Sequence, residues 1–221
     1  SRRRHTRSLC DWSSDVCSSD LSYASSGLTM TYDTAGSGTI TVGTETDTFT
    51  SIENFHEFKG TEYNDVIFGG TAGEYLEGGG GNDTISGNAG NDDIDGEDGN
   101  DLLNGDSGDD YFTGDEGNND TINGGSGIDL YQADYSYASS GLTMTYDTAG
   151  SGTITVGTET DTFTSIERFG WNYTFKGTDY NDVIFGGIEG DRLSGGRGND
   201  TISGNAGYDD IYGEDRKSTR L

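Results

Sequence analysis

From Gly60 the chain advances in steps of nine residues. The units read GTEYNDVIF, GGTAGEYLE, GGGGNDTIS, GNAGNDDID, GEDGNDLLN, GDSGDDYFT, GDEGNNDTIN and GGSGIDLYQ. From Gly177 the pattern resumes as GTDYNDVIF, GGIEGDRLS, GGRGNDTIS and GNAGYDDIY, followed by GE. Position 1 is always Gly, position 4 usually Gly, position 6 nearly always Asp, and position 8 apolar. A fixed short period of this kind signals stacked supersecondary units, none of which can bury its apolar face alone. Glycines at positions 1, 2 and 4 allow positive φ and let backbone carbonyls turn inward. Asp at position 6 closes the turn with a carboxylate aimed at the space those carbonyls line. Positions 7–9 then read as a three-residue strand with position 8 facing the interior: Ile67, Leu76, Ile85, Ile94, Leu103, Phe112, Ile122 and Tyr131. Two nonapeptides make one flat coil of 18 residues, and stacked coils form two parallel sheets over a narrow core. The fold class is all-β, a parallel β-roll or β-solenoid with β-rich segments between the repeat tracts.

Both ends differ from the rest. Residues 1–21, SRRRHTRSLCDWSSDVCSSDL, back-translate as a sequencing-library primer followed by its adapter. Residues 215–221, DRKSTRL, back-translate as the reverse complement of part of that adapter. Both read as adapter-derived, and no apolar stretch follows the arginines as a targeting peptide would require. Residues 22–214 then keep 36 acidic side chains against five basic ones, and the whole 221-residue chain carries a formal charge of −28. Cys10 and Cys17 fall in the leading segment, so disulfides, thiolate zinc sites and cysteine nucleophiles drop out of the reading. His56 is the only histidine between the flanks, which argues against acid–base catalysis by imidazole.

Composition then asks for a partner. Only 29% of residues are hydrophobic, Gly supplies 38, and there is no Pro. So little apolar surface cannot offset chain entropy and self-repulsion without something that neutralises the charge. Nucleic acid is excluded as the default, since it needs a basic footprint. No run approaches the ~18 apolar residues of a membrane span. Carboxylates and carbonyls are hard oxygen donors, which suit Ca²⁺ better than zinc or copper, and better than Mg²⁺, which keeps several of its waters.

A second repeat runs at about 115 residues. Ser22–Glu53, SYASSGLTMTYDTAGSGTITVGTETDTFTSIE, recurs letter for letter as Ser136–Glu167, and the copies realign at Gly60 and Gly177 after a three-residue length change. The segments alternate (Leu28, Met30, Tyr32; Ile40, Val42; Phe49, Ile52) and read as short strands that extend the solenoid with longer coils. The organisation is 22–59 as a β-rich segment, 60–132 as a first roll, 133–176 as the duplicated segment, and 177–214 as a truncated second roll.

GGGGNDTIS and GGRGNDTIS match the pattern G-G-x-G-x-D-x-U-x, and on these units the chain resembles the repeats-in-toxin (RTX), hemolysin-type calcium-binding nonapeptide proteins. The resemblance implies a parallel β-roll with ions held between the turns of neighbouring coils. It implies metal-ligand roles for Asp65, Asp83, Asp92, Asp101, Asp110, Asp120 and Asp129, and in the second tract for Asp182, Asp191, Asp200 and Asp209. Ala72 and Glu74 depart from the pattern and weaken that turn as a site, and the insertion at Asn118–Asn119 and the cut after Glu214 put two more in doubt. The resemblance also implies export by type I secretion from a Gram-negative bacterium and folding on calcium outside the cell, as a non-enzymatic spacer. Segments ending in "IEN" and "GT…ND" resemble those in alginate epimerases and secreted repeat proteins. An accessory module of a polysaccharide-active enzyme, or a repeat block of an RTX adhesin, is therefore the alternative, with an extracellular polysaccharide or a cell surface as partner. Roughly eight Ca²⁺ would supply half the charge needed to neutralise residues 22–214. The carboxylate pairs read as ion ligands rather than glycosidase acids. The Thr-x-Thr runs at Thr39–Thr41 and Thr44–Thr50 read as exposed strand rather than an ice-binding face.

Overall fold

The computed structural model describes residues 16–20, 24–32, 37–49, 54–114, 119–170, 172–213 and 219–220. Ile52, Asn118 and Glu214, invoked above, lie outside these residues. All elements among the described residues are strands. In chain order they begin with β1 (Val16–Asp20), β2 (Leu28–Tyr32), β3 (Gly38–Val42), β4 (Glu45–Phe49), β5 (Asn54–Lys59) and β6 (Val66–Phe68). The first roll continues through β7 (Tyr75–Gly80), β8 (Thr84–Ser86), β9 (Asp93–Asp98), β10 (Leu102–Ser107), β11 (Tyr111–Gly114), β12 (Thr121–Ser126) and β13 (Leu130–Ala133). Then come β14 (Leu142–Tyr146), β15 (Gly152–Val156), β16 (Glu159–Thr164), β17 (Arg168–Phe169) and β18 (Phe175–Lys176). The second roll holds β19 (Val183–Phe185), β20 (Arg192–Ser194), β21 (Thr201–Ser203) and β22 (Asp210–Tyr212), and β23 (Thr219–Arg220) closes the series.

Pairing follows the 18-residue coil. Val66 faces Thr84, Thr84 faces Leu102, and Leu102 faces Thr121 one residue late because of the ten-residue unit. On the opposite side Tyr75 faces Asp93, and Asp93 faces Tyr111. Alternate nonapeptides thus feed two sheets, one of seven strands (β1-β5-β7-β9-β11-β13-β17) and one of thirteen (β23-β21-β19-β14-β15-β16-β12-β10-β8-β6-β2-β3-β4). A three-stranded sheet, β18-β20-β22, backs the second roll. All eight position-8 side chains of the first tract are at most 1% exposed, and Ile184, Leu193 and Ile202 continue the row. Several strands run to six residues rather than three, because positions 2 and 3 of the following unit also pair with the neighbouring coil, as Gly79 does with Glu97 and Asp106 with Gly125.

The duplicated segment extends the solenoid differently from the longer coils expected. In each copy three antiparallel strands form a meander, β2-β3-β4 and β14-β15-β16. A two-residue Gly-Thr turn makes the reversal, with Gly157 at φ +65, where a primed hairpin turn needs a glycine. The second meander is spliced into the large sheet: β16 pairs in parallel with β12 and β14 in parallel with β19, so both rolls share one sheet. β1 lies parallel to β5 and β23 parallel to β21, extended chain added at open sheet edges.

The glycines divide by task. Among the described residues every glycine at position 4 takes positive φ, as at Gly99 (φ +149), and position 2 does so in most units, even where it is Asn88, Glu97, Asp106 or Asn205. Position-1 glycines among the described residues are absent from the positive-φ set, which corrects the single reason given for all three. Position 1 is glycine for space: a Cβ on Gly78 would lie 2.3 Å from Asp83 Oδ2 and 2.7 Å from the Gly96 carbonyl oxygen.

Candidate metal-binding ladders

Because coils repeat every 18 residues, position-6 carboxylates stack into two ladders, one per row of turns. In the first, the N–H of Leu28 donates to Asp65 Oδ1 (2.6 Å), Asp65 N–H to Asp83 (2.8 Å), Asp83 N–H to Asp101 (2.8 Å) and Asp101 N–H to Asp120 (2.8 Å). In the second, Glu74 N–H donates to Asp92 (2.8 Å), Asp92 N–H to Asp110 (2.9 Å) and Asp110 N–H to Asp129 (2.9 Å). The second roll repeats the arrangement, with Leu142 N–H on Asp182, Asp182 on Asp200, Phe169 on Asp191 and Asp191 on Asp209. Every sequence-predicted site residue therefore lies in a ladder, with one carboxylate oxygen bound to the backbone of the preceding coil.

The second oxygen separates them. Oδ2 of Asp83, Asp92, Asp101, Asp110 and Asp129 is buried with no hydrogen-bond partner, as is Oε1 of Glu74. A buried carboxylate oxygen without a donor is costly, and five in register in two rows constitute an acceptor array that the protein does not satisfy itself. At the start of each tract the second oxygen is satisfied: Asp65 takes Thr61 N–H (2.6 Å), Asp182 takes Thr178 N–H (2.7 Å), and Asp191 takes Gly187 N–H (2.7 Å). The Thr of KGT(E/D)YND is the local reason, since its hydroxyl also donates to the same Asp in both tracts.

Electrostatics follow from burial. Asp83 and Asp129 are pushed up to about 7 and Asp101 to about 6, each chiefly because desolvation penalises the charged form, with neighbouring carboxylates adding to it. Glu74 and Asp92, neighbours in one row, are both raised for the same first reason. Asp191 reaches about 7, again through burial first.

The donor set is all oxygen. Among the described residues no cluster of three His, Cys, Asp or Glu side chains could hold an ion alone. A shell built here must therefore draw on backbone carbonyls, and these are at hand. A Cβ on Gly99 would lie 1.5 Å from the Gly81 carbonyl oxygen, and one on Gly108 would lie 1.4 Å from that of Gly90. Glycine at position 4 thus lets each turn's carbonyl face the next turn. Bare carboxylate oxygens beside inward carbonyls fit a hard cation such as Ca²⁺.

Three features escaped the sequence reading. Position 5 forms its own ladder in the opposite sense: Asn82 N–H donates to Asn64 Oδ1 (2.9 Å), Asn100 to Asn82 (3.1 Å) and Asn119 to Asn100 (2.8 Å). The recurrence of Asn in N-D was the available signal. Asp161 and Glu167 end the carboxylate ladders, accepting Asp120 N–H (3.1 Å) and Asp129 N–H (3.0 Å) from 41 and 38 residues away. Glu74, a departure from the pattern, still holds its place in its row.

A family model described as the RTX calcium-binding nonapeptide repeat (4 copies) matches residues 58–85, 68–103, 86–119, 98–131, 174–199 and 186–215, together just over half of the chain. No curated protein sequence matches it.

Proposed function

This chain belongs to the RTX calcium-binding nonapeptide repeat family, and from that membership we propose that calcium binding and folding of its rolls are a single equilibrium. The observation that carries the reading is the set of five buried, unpartnered Oδ2 atoms at Asp83, Asp92, Asp101, Asp110 and Asp129. These residues, with carbonyls of the adjoining glycine turns, would hold the ions. A bound cation supplies the positive charge that stacked carboxylates lack, and binding to the folded state alone stabilises it by mass action. Asp65, Asp182 and Asp191, already satisfied by backbone donors, serve as hydrogen-bonded ends of tracts.

On this reading the module proper is residues 22–214. It is exported unfolded where calcium is scarce and becomes a rigid acidic rod outside the cell, spacing or stabilising neighbouring domains without catalysis of its own. The chain's charge of −28 favours a long-lived unfolded form in the absence of cations. The test is a calcium titration of the metal-stripped chain followed by far-UV circular dichroism, with magnesium as control. A cooperative rise of β-signal with calcium, weak or absent with magnesium, is expected. A spectrum already fully β in chelator and unchanged by calcium would overturn the coupling.

A further inference from the structure

The two rolls align place by place: GGTAGEYLE and GNAGNDDID of the first correspond to GGIEGDRLS and GNAGYDDIY of the second. In the first roll a cleft of about 380 Å³ opens beside the second unit, and its lining includes His56, Glu57, Glu74, Tyr75, Asn91 and Asp93. That volume suits a small organic molecule. Three carboxylate residues line it, and no Lys or Arg does. Glu74 is only 3% exposed; its Oε2 accepts the Gly70 N–H (2.8 Å), and its Oε1 has no hydrogen-bond partner. Asp93 is half-buried and stands opposite Tyr75 in the parallel register.

The second roll closes the same place with its own groups. Asp191, the counterpart of Glu74, accepts Phe169 N–H (2.6 Å) on one oxygen and Gly187 N–H (2.7 Å) on the other. Arg192 stands where the first roll has Tyr75, in register with Asp210, the counterpart of Asp93. Its guanidinium lies 5.8 Å from the centroid of the Tyr212 ring. Arg168, whose counterpart in sequence is Asn54, favours the charged form of Asp191. Thr174 replaces Glu57. The first roll thus has one carboxylate more than the second at this place and neither of its arginines.

We propose that the first-roll cleft binds an organic cation through a guanidinium group, which takes the place that Arg192 fills in the second roll. Among the described residues no three His, Cys, Asp or Glu side chains converge on one ion, so the acids of the cleft are spread for a larger cation than a metal. A guanidinium presents five donors in a planar fork, pairs with carboxylates bidentately and stacks on an aromatic ring. Glu74 and Asp93 take its N–H groups, and Tyr75 takes its face. An ammonium is a compact point charge and matches neither the spread of the acids nor the ring.

The group reaches the cleft either on a free small molecule or on an arginine side chain, and calorimetric titration of the full 221-residue chain in calcium separates the two. Circular dichroism of the same samples reports that the rolls are folded. Methylguanidine should bind at least tenfold more tightly than methylamine, which has the same charge. Capped Gly-Arg-Gly is the second probe, and whichever of it and methylguanidine binds more tightly identifies a peptide-borne or a free ligand. Tyr75→Arg reproduces the second roll and should abolish binding with an unchanged spectrum. Asp93→Asn should weaken binding roughly tenfold or more, and it carries the test if Tyr75→Arg perturbs the spectrum. No binding of either guanidinium probe to the folded chain would overturn the proposal. So would methylamine binding as tightly, or binding indifferent to the substitutions, because the acidic surface as a whole would then be attracting cations.

Discussion

Asp83→Asn should change the sign of its effect with calcium. The Asp83 carboxyl sits at about 7 against an ordinary 3.8, raised first by burial and then by Asp101 and Asp65. A carboxyl whose folded pKa lies above its unfolded one favours the fold fully below the unfolded value, and loses that contribution as pH rises through the folded value. At pH 7.5 the ionised side chain therefore opposes the metal-free roll. About three units at 1.36 kcal/mol each set an upper bound of about 4 kcal/mol. Asparagine keeps the acceptor for Asp65 N–H, which donates at 2.8 Å, and removes the charge. Its amide nitrogen takes the place of the orphan oxygen, so about 2–4 kcal/mol of metal-free stability should be gained. With calcium bound, the same change deletes one partner of a buried ion pair, a loss of about 3–5 kcal/mol. The assay is trimethylamine N-oxide–induced folding in chelator and urea unfolding in calcium, both by circular dichroism. The variant should fold at lower osmolyte and unfold at lower urea. Destabilisation in both conditions would refute the argument, because it would make Asp83 an ordinary structural hydrogen-bond acceptor.

Lowering the pH of the metal-free chain from about 7 toward 4 should induce β-structure, since protonating Asp83, Asp101, Asp129 and Asp191 relieves the same buried charge, and calcium affinity should weaken over that window; circular dichroism and calorimetry read the two effects. Gly99→Ala places a Cβ 1.5 Å from the Gly81 carbonyl at φ +149 and should unfold the coil stack or lower its thermal midpoint sharply, whereas Gly80→Ala, whose Cβ meets nothing nearer than 3.4 Å, should be nearly neutral. Tyr135→Phe removes the hydroxyl that donates to Asp161 Oδ2 at 2.9 Å and should cost about 1–3 kcal/mol in urea unfolding, in calcium and in chelator alike.

What was legible in the sequence was whatever repeats at nine residues. Position 8 predicted an interior row because a three-residue strand can point only its middle side chain inward, and Ile67 through Tyr131 occupy that row. The coil of 18 followed from the same alternation and appears as the pairing of Val66 with Thr84. Contacts that depend on how coils stack were not legible. Asp161 meets Asp120 across 41 residues only because β16 docks on β12, and nothing local to TETDTFT marks it as the end of a ladder. The partners of Lys59 are of the same kind: one coil on lies Glu77, with which it forms an ion pair, and two coils on lies Glu97 at 3.3 Å. The meander was half legible: its strands followed from alternation, but antiparallel pairing rests on the Gly-Thr turns, whose meaning emerges only once the strands flank them.

The structure contains two kinds of interior, and they differ in how much bare carboxylate they hold. Within the rolls each nonapeptide contributes one apolar side chain and one buried carboxylate, so lengthening the roll adds apolar burial and unfavourable charge in fixed proportion. No number of coils escapes that ratio, which is why composition alone argued for a neutralising partner. The junction at the second meander breaks it. There Tyr131, Tyr135, Tyr146, Phe163, Phe169 and Phe175 pack edge to face and stacked, with Phe163 and Phe169 centroids 5.3 Å apart. The carboxylate that ends the ladder at this point, Asp161, has its second oxygen taken by the Tyr135 hydroxyl rather than left bare. A hydrogen bond here does what a cation would do further along the ladder, and the aromatic cluster supplies burial without adding charge. Stability is therefore uneven along the solenoid by construction: the junction holds its shape from its own side chains, whereas the first roll carries the bare carboxylate oxygens of Asp83, Asp92, Asp101, Asp110 and Asp129, where a cation would act.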